Sequence, residues 1–342
     1  MLKNNPFEGK KEINIVFLGG SITEGACSSS PDTCYFGLCR EWFKNAFPEQ
    51  NVNCFNAGIG GTGSDFGMVR MDRDVMCHNP DMLFVEFAVN DAGKDRRAYM
   101  ESIVRKAMSQ KEIPYIVFLY TTNKLYTTVT EYHEEVAQYY GIPQINLRDA
   151  LKKELGGKDP LELGLFNDGV HPLDGGFRIY GDTIISRLED GTAFVKPQNK
   201  APMCENTPVI NAVFTPSTKF EHSALWECTT HHRGYDCLLS ENPGETVTFE
   251  FDGNFLAMET GLHKESGVID VEVDGELIRS VQSYYNTTSY QCVYQEVSYD
   301  LPLGHHNVKL TLKENPSAEH PGSKFMIYHI ITGNVNYTGE SK

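Results

Sequence analysis

Four short segments of the chain carry residue types suited to nucleophilic chemistry. The first is Gly19-Gly20-Ser21-Ile22-Thr23, directly after the apolar run at residues 13–18 (INIVFL). Glycines at the end of a strand permit a tight turn and expose a following serine hydroxyl, although a plain Gly-Ser turn opening a helix has the same composition. The second, Asn56-Ala57-Gly58-Ile59-Gly60-Gly61-Thr62-Gly63, lets backbone N–H groups approach a ligand closely, as stabilisation of an oxyanion requires. A phosphate-binding loop competes with that reading, but no Gly-Lys-Ser/Thr follows and the glycine spacing is not that of a dinucleotide fingerprint. In the third, Ala88-Val89-Asn90-Asp91, the Asn90 amide could donate to a developing oxyanion or simply close an Asx-turn. The fourth is Asp168-Gly169-Val170-His171-Pro172. An aspartate and a histidine three residues apart can share one loop, with the carboxylate on one ring nitrogen and the other nitrogen facing a serine. A solvated loop histidine is the plainer alternative.

The elements around these segments follow an α/β pattern from residue 13 to about residue 190. Apolar runs with little alternation at residues 13–18, 52–55, 82–87, 115–120 and 143–147 suit strands covered on both faces. Between them lie amphipathic stretches: one through Tyr35, Leu38, Trp42 and Phe43, others at residues 65–76, 97–111, 129–140 and 176–188. Strands alternating with helices imply a parallel, three-layer α/β sheet, and each of the four segments falls just past a strand or before the last helix. In such sheets ligands gather at the carboxyl ends of strands. Residues 196–208 (KPQNKAPMCENTP) are polar, proline-rich and aperiodic, which predicts a linker between a domain at 1–195 and a second at 209–342. The second has alternating runs at 246–251, 268–273, 296–301 and 307–312, with an Asp274-Gly275 turn; this pattern predicts an all-β sandwich or jelly roll.

Composition narrows the partners. A net charge of −16 argues against nucleic acid, anionic lipid and polyuronic glycans. No run is long and apolar enough to span a bilayer, and the first dozen residues lack the core and cleavage site of a signal peptide. Nine cysteines without CxxC pairing fit reduced thiols, so a cytoplasmic protein is expected. The pairs His231-His232 and His305-His306 lack ligand spacing and are expected to be solvated. No metal or cofactor is expected, and a homo-oligomer is compatible with the sequence.

Taken together and in order, the four segments resemble the conserved blocks of the SGNH/GDSL hydrolases over about residues 12–190. The resemblance implies a flavodoxin-like α/β/α catalytic domain and a serine esterase mechanism. Ser21 would be the nucleophile, His171 its base and Asp168 the residue that orients His171. The oxyanion would be held by the Ser21 N–H, the Gly61 N–H and the Asn90 amide, with Gly61 chosen over Gly60 from its position in the block. Two departures stand out: Ala88 where the third block has Gly, and Gly20 where many relatives have Asp.

The ester is read from the second domain. Its fragments at 261–275 and 301–312 look like jelly-roll modules of carbohydrate-active enzymes, and Trp226, Tyr284, Tyr285 and Tyr290 are candidates for stacking on sugar rings, with β-sandwich core as the competing fate of each. An SGNH domain followed by a jelly roll resembles carbohydrate esterase family 17, the mannan acetylesterases. That resemblance implies an acetylated, neutral oligosaccharide as substrate, most simply a mannan. Acetylated xylan, sialate or general short-chain esters are the alternatives within the same chemistry. A silenced, sugar-binding SGNH domain is disfavoured by the intact set Ser21, Asn90, Asp168 and His171.

Overall fold

The computed structural model describes residues 5–230, 234–288 and 291–338. They form two compact units, one ending at Val209 and taking in Tyr337, the other spanning Ile210–Asn336. Among the described residues no helix is long and apolar enough to cross a membrane.

The first unit contains β1 (Glu12–Gly19), α1 (Ser21–Glu24), α2 (Tyr35–Ala46), β2 (Asn51–Gly58), α3 (Ser64–Val69), α4 (Met71–Asp74), β3 (Met82–Glu86), α5 (Arg97–Met108), β4 (Tyr115–Tyr120), α6 (Glu131–Tyr140), β5 (Gln144–Asn146), α7 (Leu147–Glu154) and α8 (Asp174–Glu189). Its strands are all parallel, in the order β2-β1-β3-β4-β5. Ile13, Ile15 and Phe17 of β1 pack into one core with Phe43 of α2, Leu151 of α7 and Tyr180 of α8. Val16 and Leu18 face the other way and are equally buried, on the side where α3 packs on α5 and α5 on α6. Burial on both faces is why these strands read as unbroken apolar runs. The chain winds outward from β1 in two directions, to β2 on one side and β3 on the other. In open α/β sheets ligands bind outside the carboxyl ends of the strands at such a switch point.

Two expectations change here. The helix expected over 65–76 is broken at Arg70, which leaves helical geometry (φ −91°, ψ 10°) between α3 and α4. The segment at 196–208 is not a free linker. Gln198 N–H donates to Tyr140 O at 2.7 Å, Lys200 Nζ donates to Tyr139 O at 2.7 Å, and Tyr139 OH donates to Ala201 O at 3.0 Å. Fully buried Glu101 of α5 accepts from the backbone N–H of Met203 and Cys204 and from the Thr207 hydroxyl. Proline and polar composition marked a segment without its own periodicity; it said nothing of the acceptors waiting on α5 and α6.

The second unit is built from β6 (Thr207–Pro216), β7 (Glu221–His222), β8 (Glu227–Thr230), β9 (Asp236–Ser240), β10 (Thr246–Gly253), β11 (Phe255–Leu262), β12 (Val268–Val273), β13 (Glu276–Gln282), β14 (Gln291–Ser298), β15 (Gly304–Lys313) and β16 (Phe325–Thr338). One sheet runs β13-β12-β15-β10-β7, the other β14-β11-β16-β9-β8 with β6 also on β16. Alternate residues of β10, β12 and β15 (Val247, Ile269, Leu310) meet Leu256 and Met258 of β11 in the core between the sheets. The all-β sandwich expected from alternation is thus present.

Two side chains weighed as surface groups belong to this interior. Trp226, a candidate sugar platform whose competing fate was sandwich core, takes the second: it is 3 % exposed and packs in that core. His306, expected to be solvated, is buried, while its neighbour His305 is exposed. Alternation along β15 sends one residue of the pair inward. His231 and His232 lie outside the described residues.

Candidate active site

Ser21 opens α1 two residues past the end of β1. Its Oγ lies 2.8 Å from His171 Nε2, and His171 Nδ1 lies 2.8 Å from Asp168 Oδ2. The loop holding Asp168 and His171 is closed by a bridge between Phe166 and Pro172 and by the bonds Asn167 N–H to His171 O and Leu173 N–H to Leu165 O, both 2.8 Å. Asp168 acts twice within it. Its Oδ1 accepts from the N–H groups of Val170 and His171 at 2.8 and 2.9 Å, which shapes the turn, while Oδ2 takes the imidazole. Partial burial alone would raise the Asp168 pKa; the His171 ring and the two backbone donors outweigh it and hold the carboxyl down to about 2. An ionised Asp168 keeps the His171 proton on Nδ1, so that Nε2 faces Ser21 as an acceptor.

Three donors, on the nucleophile loop, the glycine-rich loop and the turn that follows β3, are candidates for an oxyanion hole. Ser21 N–H is the first of a helix and has no intrahelical partner; among the described residues neither it, nor Gly61 N–H, nor the Asn90 amide has a protein acceptor. Gly60 N–H is by contrast taken up by Glu24 Oε2 at 2.9 Å. The turn from Phe87 to Asp91, closed by Asp91 N–H to Phe87 O at 2.9 Å, carries Asn90 beside the nucleophile loop. A Cβ at position 20 would overlap Asn90 Oδ1. Ala88, the other departure, is simply buried.

Beneath the site lie polar residues that the sequence reading passed over. Arg70 is fully buried and donates to Gly19 O at 2.9 Å and Ala57 O at 2.6 Å, with Asp74 beside it at 2.8 Å. It therefore ties together the ends of β1 and β2, from which the nucleophile and the glycine-rich loop emerge. Asp91 Oδ1 accepts from Ser64 N–H at 3.1 Å, and its Oδ2 pairs with buried His133 Nε2 at 3.0 Å. Glu86 accepts from Thr23 and Thr121 hydroxyls at 3.1 and 2.6 Å. Burial pushes the Glu86 carboxyl up despite those bonds. The only sequence-level signal for these groups was charge inside otherwise apolar elements.

Among the described residues no group of three or more His, Cys, Asp or Glu side chains could hold a metal ion. Of the aromatic candidates in the second unit, Tyr284 and Tyr285 lie just after β13. Tyr284 is half-buried with its ring stacked 4.1 Å from that of His320, and Tyr285 is 55 % exposed. Tyr290 lies outside the described residues.

The sequence model of the GDSL-like Lipase/Acylhydrolase family matches residues 17–179. This segment belongs to that family. The GDSL match runs from β1 into α8 and takes in all four segments, so the first unit is a carboxylic ester hydrolase domain. Two solved structures resemble the whole chain. One is a two-domain esterase active on acetylated mannans, co-crystallized with mannopentaose: TM-score 0.77, 22% identity, covering 96% of this chain and 93% of that one. The other is a two-domain esterase active on acetylated mannans with TM-score 0.77, 23% identity, and coverage of 97% and 93%. At this identity the likeness concerns the fold. A search of curated proteins found no match.

Proposed function

We propose that this chain is a serine esterase that removes O-acetyl groups from a neutral oligosaccharide, a mannan first among them. The observation that carries the reading is the relay Ser21 Oγ to His171 Nε2 and His171 Nδ1 to Asp168, each link 2.8 Å. Ser21 Oγ attacks the acetyl carbonyl as its proton passes to His171 Nε2. The carbonyl oxygen becomes an oxyanion facing the N–H groups of Ser21 and Gly61 and the Asn90 amide. Collapse expels the sugar alkoxide, which takes the proton from His171 and leaves acetyl-Ser21. Water, deprotonated by His171, then attacks the acetyl carbon; acetate leaves and the proton returns to Ser21 Oγ. Asp168 stays ionised throughout and stabilises the imidazolium.

Support for acetyl over longer esters, and for a sugar leaving group, comes from the likeness of the two-unit fold to an esterase active on acetylated mannans, and the net charge of −16 suits a neutral glycan better than an anionic one. The test is acetate release from acetylated mannan, xylan and glucan oligosaccharides, beside p-nitrophenyl acetate and butyrate. Mannan should lead the panel, acetate should exceed butyrate, and Ser21→Ala should lower turnover on the order of 10⁴–10⁶-fold. Faster release from xylan, or butyrate above acetate, overturns the substrate assignment. Wild-type turnover in Ser21→Ala overturns the mechanism.

A further inference from the structure

The glycine-rich loop is open at Gly61. Gly61 has φ +76°, and no heavy atom lies within 4 Å of where its Cβ would be. Gly60 precedes it, and two consecutive glycines give up much conformational freedom when ordered. Yet an oxyanion donor contributes most when it is already aimed before the charge develops. The loop's shoulders are held: Ile59 N–H donates to Gly19 O at 3.0 Å, and Thr62 Oγ1 donates to Ile59 O at 2.7 Å. The glycine pair itself is held through Gly60 N–H, which donates to Glu24 Oε2 at 2.9 Å.

The backbone of Glu24 is well fixed for this task, and its side chain is exposed. It ends α1, the four-residue helix that Ser21 begins. A Cβ at Gly58 would overlap the Glu24 backbone, so glycine there lets α1 lie directly on the end of β2. Asn56 fastens the same contact, with Nδ2 donating to Thr23 O and Oδ1 accepting from Gly58 N–H, both 2.9 Å.

We propose that Glu24 is a positioning residue for the oxyanion hole: its carboxylate occupies Gly60 N–H and leaves the adjacent Gly61 N–H as the loop's donor, set by the helix that carries the nucleophile. The proposal rests on the esterase reading above. A negative charge this near a developing oxyanion is unfavourable by Coulomb's law, so the useful property of Glu24 is its acceptor oxygen and not its charge. Glutamine supplies the same acceptor at the same reach, alanine supplies none, and aspartate withdraws it by one methylene while keeping the charge.

The test compares steady-state hydrolysis of p-nitrophenyl acetate by the full-length wild type, Glu24→Gln, Glu24→Asp, Glu24→Ala and Ser21→Ala, with melting temperatures for each. Glu24→Ala and Glu24→Asp should lose about ten- to hundredfold in kcat with KM within about twofold, while Glu24→Gln stays within about threefold of wild type. If Glu24→Ala does not fold, the contrast between Asp and Gln decides. Wild-type kcat in both Ala and Asp variants, or a Gln variant as slow as Asp, overturns the positioning role. An inactive wild type, or an active Ser21→Ala, overturns instead the esterase reading on which it rests.

Discussion

At the scale of single residues, the closeness of position 20 to Asn90 ties a sequence departure to the proposed oxyanion donor. A methyl group at 20 would overlap the Asn90 amide oxygen, and the far end of a flexible side chain is what yields first. Gly20→Ala should therefore leave the fold intact and swing the amide out of place. The expected loss in kcat approaches that of Asn90→Ala, about 10²–10³-fold for an oxyanion donor. Because both changes remove the same interaction, the double variant should be little slower than Asn90→Ala alone. Kinetics of the three variants on one acetyl ester check this; independent, multiplying losses would mean that Gly20 acts through something other than Asn90.

At the scale of elements, His306 joins the β12–β13 turn to the segment before β15. Its Nδ1 meets Asp274 Oδ2 and its Nε2 meets Pro302 O, both at 2.7 Å. Two acceptors require two ring protons, so the buried ring is held as an imidazolium. Burial alone would lower its pKa; the Asp274 carboxylate and the Pro302 carbonyl outweigh burial and raise it. A raised folded pKa gives stability that is fully present below the unfolded value, about 6.5, and is lost as pH rises through the folded value. The melting temperature of the second unit should thus fall as pH rises above about 6.5, and His306→Asn should flatten that slope. Calorimetry over this range is the check.

At the scale of the whole molecule, the segment between the units is fastened by a buried carboxylate rather than left loose. Glu101 is fully buried. Burial would raise its pKa, but the Thr207 and Tyr140 hydroxyls and the N–H groups of Met203 and Cys204 prevail and lower it. The sign is opposite to that of His306: the contribution is present above the unfolded value, about 4.3, and is lost as pH falls through the folded one. Glu101→Ala should lower stability by roughly 3 kcal/mol and open residues 198–207 to proteases at neutral pH. Limited proteolysis with mass analysis of the cut sites measures both the variant and the acid effect.

The sequence by itself determined the class of each unit and the four segments that meet at the site. Unbroken apolar runs, alternating runs, and glycines or catalytic residue types at strand ends are local signals, and local backbone geometry obeys them. Tertiary structure alone decided which polar group meets which partner. It buried Trp226 and His306, broke a helix at Arg70 so that its guanidinium could reach the ends of β1 and β2, and docked the proline-rich connector on Glu101. It also turned an isolated motif serine into one with His171 Nε2 at 2.8 Å, across a separation of 150 residues. Hydrogen bonds between segments so distant depend on how the strands are ordered, and the switch point between β2, β1 and β3 is a property of the assembled sheet.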